Sequence, residues 1–181
     1  MKDEYIILKE EILAELSVIQ NCKNLVYTLV IALLAFSFEK NNSWMFLLPF
    51  VAIIPLYNLI IQKIDSTIRT GTYMLVFLEP YIDIKWETKL YEYDKKYRRD
   101  FSVKKINIDS FVILSGVCII MSVINLDLQQ IGKFDVWGCI ITQLFLSLYS
   151  IWVFCSKRVD YVSRKEKYIE EWKQIKNSEE N

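Results

Sequence analysis

Four long stretches of this chain contain no Asp, Glu, Lys or Arg, and they limit what it can fold into more than any other feature. They run from Asn24 to Phe38, Asn41 to Gln62, Ser110 to Leu126 and Val136 to Ser156, and each is rich in Leu, Ile, Val and Phe. A hydrocarbon core about 30 Å thick needs roughly 20 residues of helix to cross it. The second and fourth stretches reach that length directly. The first and third are shorter, and the stems of Lys23 and Lys40 can extend the first by snorkelling. Trp44 and Trp137 lie where an interfacial aromatic belt would place them. A core helix of a soluble bundle would carry a polar residue on its outer side every three or four positions. Residues 25–38 and 136–155 carry no such stripe. The sequence therefore predicts an all-α polytopic membrane protein with four spans in two hairpins.

The remaining residues hold the charge. Hydrophobic residues make up 53% of the 181 and charged residues 24%, so the two kinds must be segregated along the chain. Lys and Arg set the orientation. Residues 1–23 carry three, 63–109 carry ten and 157–181 carry seven, against one each in the connections 39–43 and 127–135. The positive-inside rule then places both termini and the central loop in the cytoplasm of an inner-membrane protein. The charged and periodic first 23 residues, with no small-residue cleavage site after the first span, do not read as a signal peptide.

The charged segments read as helices. Tyr5, Leu8, Ile12, Leu16 and Ile19, with Leu13 beside them, make an apolar stripe on an amino-terminal helix, while Lys9, Glu10, Glu11 and Glu15 cover the rest. A helix from Lys63 to about Glu79 stops at Pro80. Another fits Asp83 to about Arg99 with Trp86, Leu90, Tyr93 and Tyr97 on one face. Val159–Ile175 places Val162, Tyr168, Ile169, Trp172 and Ile175 on one face. Such stripes must bury against something, and a cytoplasmic helical bundle of 1–23, 63–109 and 157–181 is the expected arrangement. With the hairpins 24–62 and 110–156 it forms a single unit over residues 1–181.

Catalysis has little to stand on. Histidine is absent and the four cysteines form no CxxC pair, which removes His-based nucleophile arrangements and imidazole zinc sites. Neither a P-loop, a GxSxG nor an HExxH occurs. We expect a non-enzyme without catalytic residues, metal or cofactor. The absence of intramembrane charge speaks against a transporter. Asn58 and Gln143 fit interhelical hydrogen bonding, and Pro49 and Pro55 a bend in the second span.

Two segments stand out. In residues 69–87, Arg69, Tyr73 and Phe77 share a helical face, Glu79 and Pro80 close the helix, and Trp86 and Glu87 open the next. Arg69, Tyr73, Glu79, Trp86 and Glu87 form a candidate signalling or docking surface; the competing reading ties Arg69 and Glu87 into structural ion pairs. Lys95, Lys96, Arg98, Arg99, Lys104 and Lys105 put six cations within eleven residues, suited to anionic lipid headgroups at about 1 kcal/mol each. Glu92, Asp94 and Asp100 beside them argue against nucleic acid.

The run R-T-G-T-Y-M-L-V-F-L-E-P, with K-W-E shortly after, resembles small prokaryotic membrane proteins that share two membrane hairpins and a charged helical middle. Some of these accompany phage-defence loci, including accessory membrane proteins of type VI CRISPR systems. The resemblance implies antiviral defence. The expected function is a homo-oligomeric inner-membrane effector or accessory protein that couples a cytoplasmic signal or protein partner to the bilayer. An ion channel or small transporter, and a passive anchor for a cytosolic enzyme, are the alternatives.

Overall fold

The computed structural model describes residues 1–40, 42–97, 103–126, 134–156 and 161–179, with only the backbone for 97, 103–109 and 134–135. Among them every element is helical. Helix α1 is Lys2–Lys40, α2 Phe50–Tyr73, α3 Trp86–Tyr97, α4 Val103–Ile124, α5 Phe134–Ser156 and α6 Tyr161–Glu179. Among the described residues three helical stretches are long and apolar enough to cross a membrane, within Lys2–Lys40, Ser43–Tyr81 and Val136–Ser156. The third predicted stretch lies in α4, whose described apolar part is Ser110–Ile124.

Contacts divide the chain into two compact units. A charged unit gathers 1–20, 60–103 and 159–181, and an apolar unit gathers 21–59 and 104–158. Helices α1 and α2 contribute residues to both.

In the apolar unit, Asn42 opens a 3-10 turn, Ser43–Leu47, by accepting the Trp44 N–H at 3.0 Å. The second predicted stretch is therefore two elements rather than one helix. Pro49 has no N–H to give, so helical bonding restarts after it, with Ala52 and Ile53 donating to its carbonyl. Pro55 is accommodated inside α2. Tyr57 is fully buried, with edge-on contacts to Phe111 at 5.5 Å and Phe154 at 4.8 Å. Near the other end of α4, the Gln143 amide donates to Ser122, Ser122 donates to the Ser43 carbonyl, and Ser43 donates to the Asn125 carbonyl. This is the interhelical role expected of Gln143.

Helix α5 turns polarity inside out. Trp137, Ile141, Leu144, Phe145, Leu148, Ile151 and Trp152 all point outward, while Cys139, Gln143 and Ser150 are buried. The outward set recurs every three or four residues, which defines one helical face.

The charged unit follows a different rule. Tyr5, Met74 and Leu78 form a core with Leu8, Ile12, Tyr73 and Ile82 packed on it. Three of the predicted stripes need correcting. On α1, Glu15 is buried while Leu13 and Leu16 are exposed, because Glu15 accepts from Thr67 at 3.0 Å and Lys63 at 3.4 Å. On α3, which begins at Trp86 rather than Asp83, the buried positions are Glu87 and Asp94, and Trp86 and Tyr93 face out. On α6, Lys165 is buried beside Ile169, and Ile175 is exposed. Glu15, Glu87 and Lys165 take inward register positions because a counter-charge or a polar partner meets each of them there.

Candidate functional site

The charged unit contains two polar clusters, and the segment 69–87 runs through both. Residues Met74–Leu78 form a π-helical turn, followed by a 3-10 turn Glu79–Tyr81 with Pro80 near its start. The wide turn and the tight one together put the Glu79 side chain, 2% exposed, beside the start of α3.

Helix α3 has no local capping residue. Its first helical bond runs from Lys89 to the Lys85 carbonyl, and a lysine side chain cannot accept from the first-turn N–H groups. Glu79 substitutes from a distance. Its carboxylate accepts the Glu87 N–H at 2.6 Å, the Thr88 N–H at 2.9 Å and the Thr88 hydroxyl at 2.6 Å. A negative charge at a helix amino end also opposes the helix dipole favourably. The buried Tyr5 phenol donates to the same carboxylate at 3.4 Å, and burial, the nearby Glu79 and Glu87 charges and that bond push it up to about 12.

One residue into α3, Glu87 meets Lys165 at 3.2 Å. The ammonium is 1% exposed and also lies 5.7 Å from the ring centres of Tyr91 and Tyr161. Burial raises the Glu87 carboxyl above the ordinary value, Lys165 pulls it back down, and Glu79 and Asp94 push it up. Gly71 makes room for the pair: a Cβ there would sit 3.1 Å from Glu87 Oε2.

The second cluster centres on Asp65. Arg164 and Tyr168 from α6 both donate to it, the phenol at 2.7 Å. Burial would raise this carboxyl, but the two donated hydrogen bonds and the charges of Arg164 and Arg69 hold it below the usual range. Next to it, Tyr73 stacks on Phe77 at 5.0 Å and meets Trp172 edge-on at 5.5 Å. Leu8, Arg69, Thr70, Tyr73 and Trp172 line a hollow of about 140 Å³. The Tyr73 phenol donates to Glu4 at 3.1 Å and is raised by burial, by that bond and by Glu4 and Glu179.

The five candidate residues of 69–87 thus separate. Glu79 and Glu87 belong to the cap and ion-pair cluster, and Arg69 and Tyr73 to the hollow. Trp86 joins neither: it is 56% exposed, with the Lys9 ammonium 5.2 Å from its ring. The competing ion-pair reading holds for Glu87 and not for Arg69, whose guanidinium meets no carboxylate within 4.0 Å among the described residues. Of the predicted headgroup contacts, Lys95 pairs with Glu166 at 3.7 Å, and Lys96 is exposed. Arg98 and Arg99 lie outside the described residues, as do the side chains of Lys104 and Lys105.

Lys165 and the capping role of Glu79 are absent from the sequence reading. One signal could have found Lys165, a lysine at the three-to-four spacing of the stripe Val162, Lys165, Ile169 and Trp172. Among the described residues no group of three or more His, Cys, Asp or Glu is placed to hold a metal ion. No protein-family model, curated protein or solved structure matches the chain.

Proposed function

We propose that this chain is a non-enzymatic, homo-oligomeric inner-membrane protein that couples a cytoplasmic signal or protein partner to the bilayer, acting in phage defence. The observation that supports membrane residence best is the polarity of α5, where the outward face from Trp137 to Trp152 is apolar and Gln143 and Ser150 turn inward. In water such a face would be a large exposed apolar patch; in hydrocarbon it costs nothing. The proposal keeps four spans. In it α4 crosses as the shortest of them, with Lys104 and Lys105 at the cytoplasmic edge, and both termini and the central loop are cytoplasmic.

The charged unit is the receiving end in this reading. Its polar clusters are built from segments far apart in sequence, so a ligand or partner that displaced one of them would be felt by several helices at once. The antiviral assignment rests on the resemblance of residues 69–87 alone.

The first experiment is fractionation with reporter fusions. The protein should stay with membranes through an alkaline wash, with reporters after Lys40 and Lys133 outside the cytoplasm and those after Arg99 and Asn181 inside it. A cytoplasmic reporter at Lys133 would remove the second hairpin from the topology. The second is phage plating on a host expressing the chain together with its genomic neighbours. Unchanged plaque numbers across a phage panel would dispose of the antiviral role and leave the topology standing.

A further inference from the structure

We infer that the apolar unit is fitted to a bilayer whose hydrocarbon core is about 22–25 Å thick, thinner than the ordinary core of about 30 Å. Its preferred lipid is then a phospholipid with short acyl chains. This rests on the membrane residence proposed above and adds a thickness to it.

Three helices give the same reach by different markers. On α5 the outward apolar face begins at Trp137 and ends at Trp152. Indole rings settle at the boundary between hydrocarbon and headgroups, and fifteen residues of α-helix separate these two by about 22 Å. Side chains on a helix all lean towards its amino end, so the rings keep the spacing of their backbones. The uncharged stretch of α5 continues to Ser156, but Val153 and Phe154 are buried there, and the outward positions are Cys155 and Ser156. Their small side chains add little surface for lipid. The Trp137 rim carries a second indole: the Trp44 ring lies 3.3 Å from where a Cβ on neighbouring Gly138 would sit.

On α1 the limits are charges. Asn24–Phe38, between Lys23 and Glu39, is fifteen residues of one continuous helix, again about 22 Å. Lys23 can lengthen that run by snorkelling. The other end is firmer, because Glu39 is a short anion, exposed and paired with Lys40 at 3.8 Å. On α4 the uncharged residues run from Ser110 to Leu126, and the described apolar helix is Ser110–Ile124. Those lengths correspond to about 22–25 Å. Tilt would shorten every one of these reaches. One short span can be accommodated by longer neighbours, whereas three that agree set a preferred thickness for the unit. In an ordinary bilayer the shortfall of about 5–8 Å is met by thinning the nearby lipid or by gathering copies so that less lipid is deformed. The second response gives the proposed homo-oligomer a physical cause.

The test uses the full chain in vesicles of phosphatidylcholines whose chain lengths give hydrocarbon cores from about 20 to about 35 Å. Brominated lipid of each length quenches the tryptophans that touch acyl chains, expected to be Trp44, Trp137 and Trp152, and so reads relative lipid affinity. We expect an affinity maximum at about 22–25 Å and a roughly two- to fivefold lower affinity at about 30 Å. A variant with Trp152→Leu, Ser156→Trp and Glu39→Leu lengthens α5 and α1 together, and its maximum should move towards 30 Å. All three positions are exposed, so this variant should keep the wild-type melting temperature in detergent. A flat profile, a wild-type maximum near 30 Å, or a maximum that the variant leaves in place overturns the fitted thickness. Failure to incorporate into any of the vesicles would overturn membrane residence as well.

Discussion

Helices α5 and α6 follow each other in the chain and obey opposite rules. On α5 the exposed face is Trp, Ile, Leu and Phe, and the buried face offers a thiol, an amide and a hydroxyl beside Val153 and Phe154. On α6 the exposed face includes Lys167 and Glu171, which pair with each other at 3.6 Å, and the buried face holds Ile169 and Lys165. The outside of each helix shows which solvent it is suited to. The insides differ as well. The polar groups buried in the apolar unit are neutral and short, while the charged unit buries the full charges of Glu15, Glu79, Glu87 and Lys165 against fixed partners. A buried charge is tolerable only where several donors or a counter-ion surround it, and the charged unit provides these around Glu79, Glu87 and Lys165.

The comparison breaks most visibly at Lys165. Lys165→Met should destabilise the charged unit by about 3–5 kcal/mol, because Glu87 would remain buried without its cation. Chemical unfolding in detergent, followed by near-ultraviolet circular dichroism, measures it. A loss below about 1 kcal/mol would mean that the pair is not an organising contact. This variant also sharpens a pH effect. A carboxyl raised in the folded state binds its proton more readily there than when unfolded, so the contribution of Glu87 is fully present below the ordinary carboxylate range. It falls as pH rises through that range towards the raised value of Glu87. Without Lys165 the fall should be steeper and extend to higher pH, and Glu87→Gln should abolish it. Asp65, held low, acts in the reverse sense: its contribution is present above the ordinary range and is lost as pH falls through its depressed value.

Two exposed leucines provide the next test. Leu144 on α5 and Leu13 on α1 are 60% and 58% exposed. Leu144→Arg should cost about 2.5–3.5 kcal/mol in membrane insertion, whereas Leu13→Arg should stay within about 0.5 kcal/mol. Glycosylation-mapped insertion assays and thermal melts compare them. Equal responses would erase the distinction between the two surfaces.

Smaller effects separate the two interiors. Glu79→Gln keeps the shape of the cap and removes its charge, with an expected loss of about 1.5–3 kcal/mol and faster amide exchange at Glu87 and Thr88. Gln143→Leu in the apolar unit should cost only about 0.6 kcal/mol, as is usual for hydrogen bonds between membrane helices. A cost as large as that of Glu79→Gln would put the two polar networks on the same footing.

The segregation of charge is legible in the sequence because it averages over fifteen or more residues, and no single contact can reverse it. Helix existence is legible for the same reason. The inward positions of Glu15, Glu87 and Lys165 are not, since each depends on a partner elsewhere in the fold. Glu15 meets Thr67 and Lys63, and Lys165 meets Glu87, 78 residues away. A periodicity argument assigns the inside to apolar residues and so turns α3 the wrong way round. Arg69 illustrates the converse. Its spacing from Asp65 invites a local pair, and only α6, arriving with Arg164 and Tyr168, shows that Asp65 is already occupied. Glu79 reads from sequence as a helix stop, and its reach to α3 depends on the backbone of the five residues before it.

That π turn, Met74–Leu78, sets the direction of the residue that follows it. An α-helix advances about 100° per residue, and a π turn holds one residue more than an α turn, so closing the same residues into ordinary helical bonding would swing Glu79 by about that angle. The carboxylate would then face away from the first turn of α3, although every residue of the cap remained in the chain. The surplus residue and the reach of the cap are one feature: the width of the turn aims Glu79 at α3.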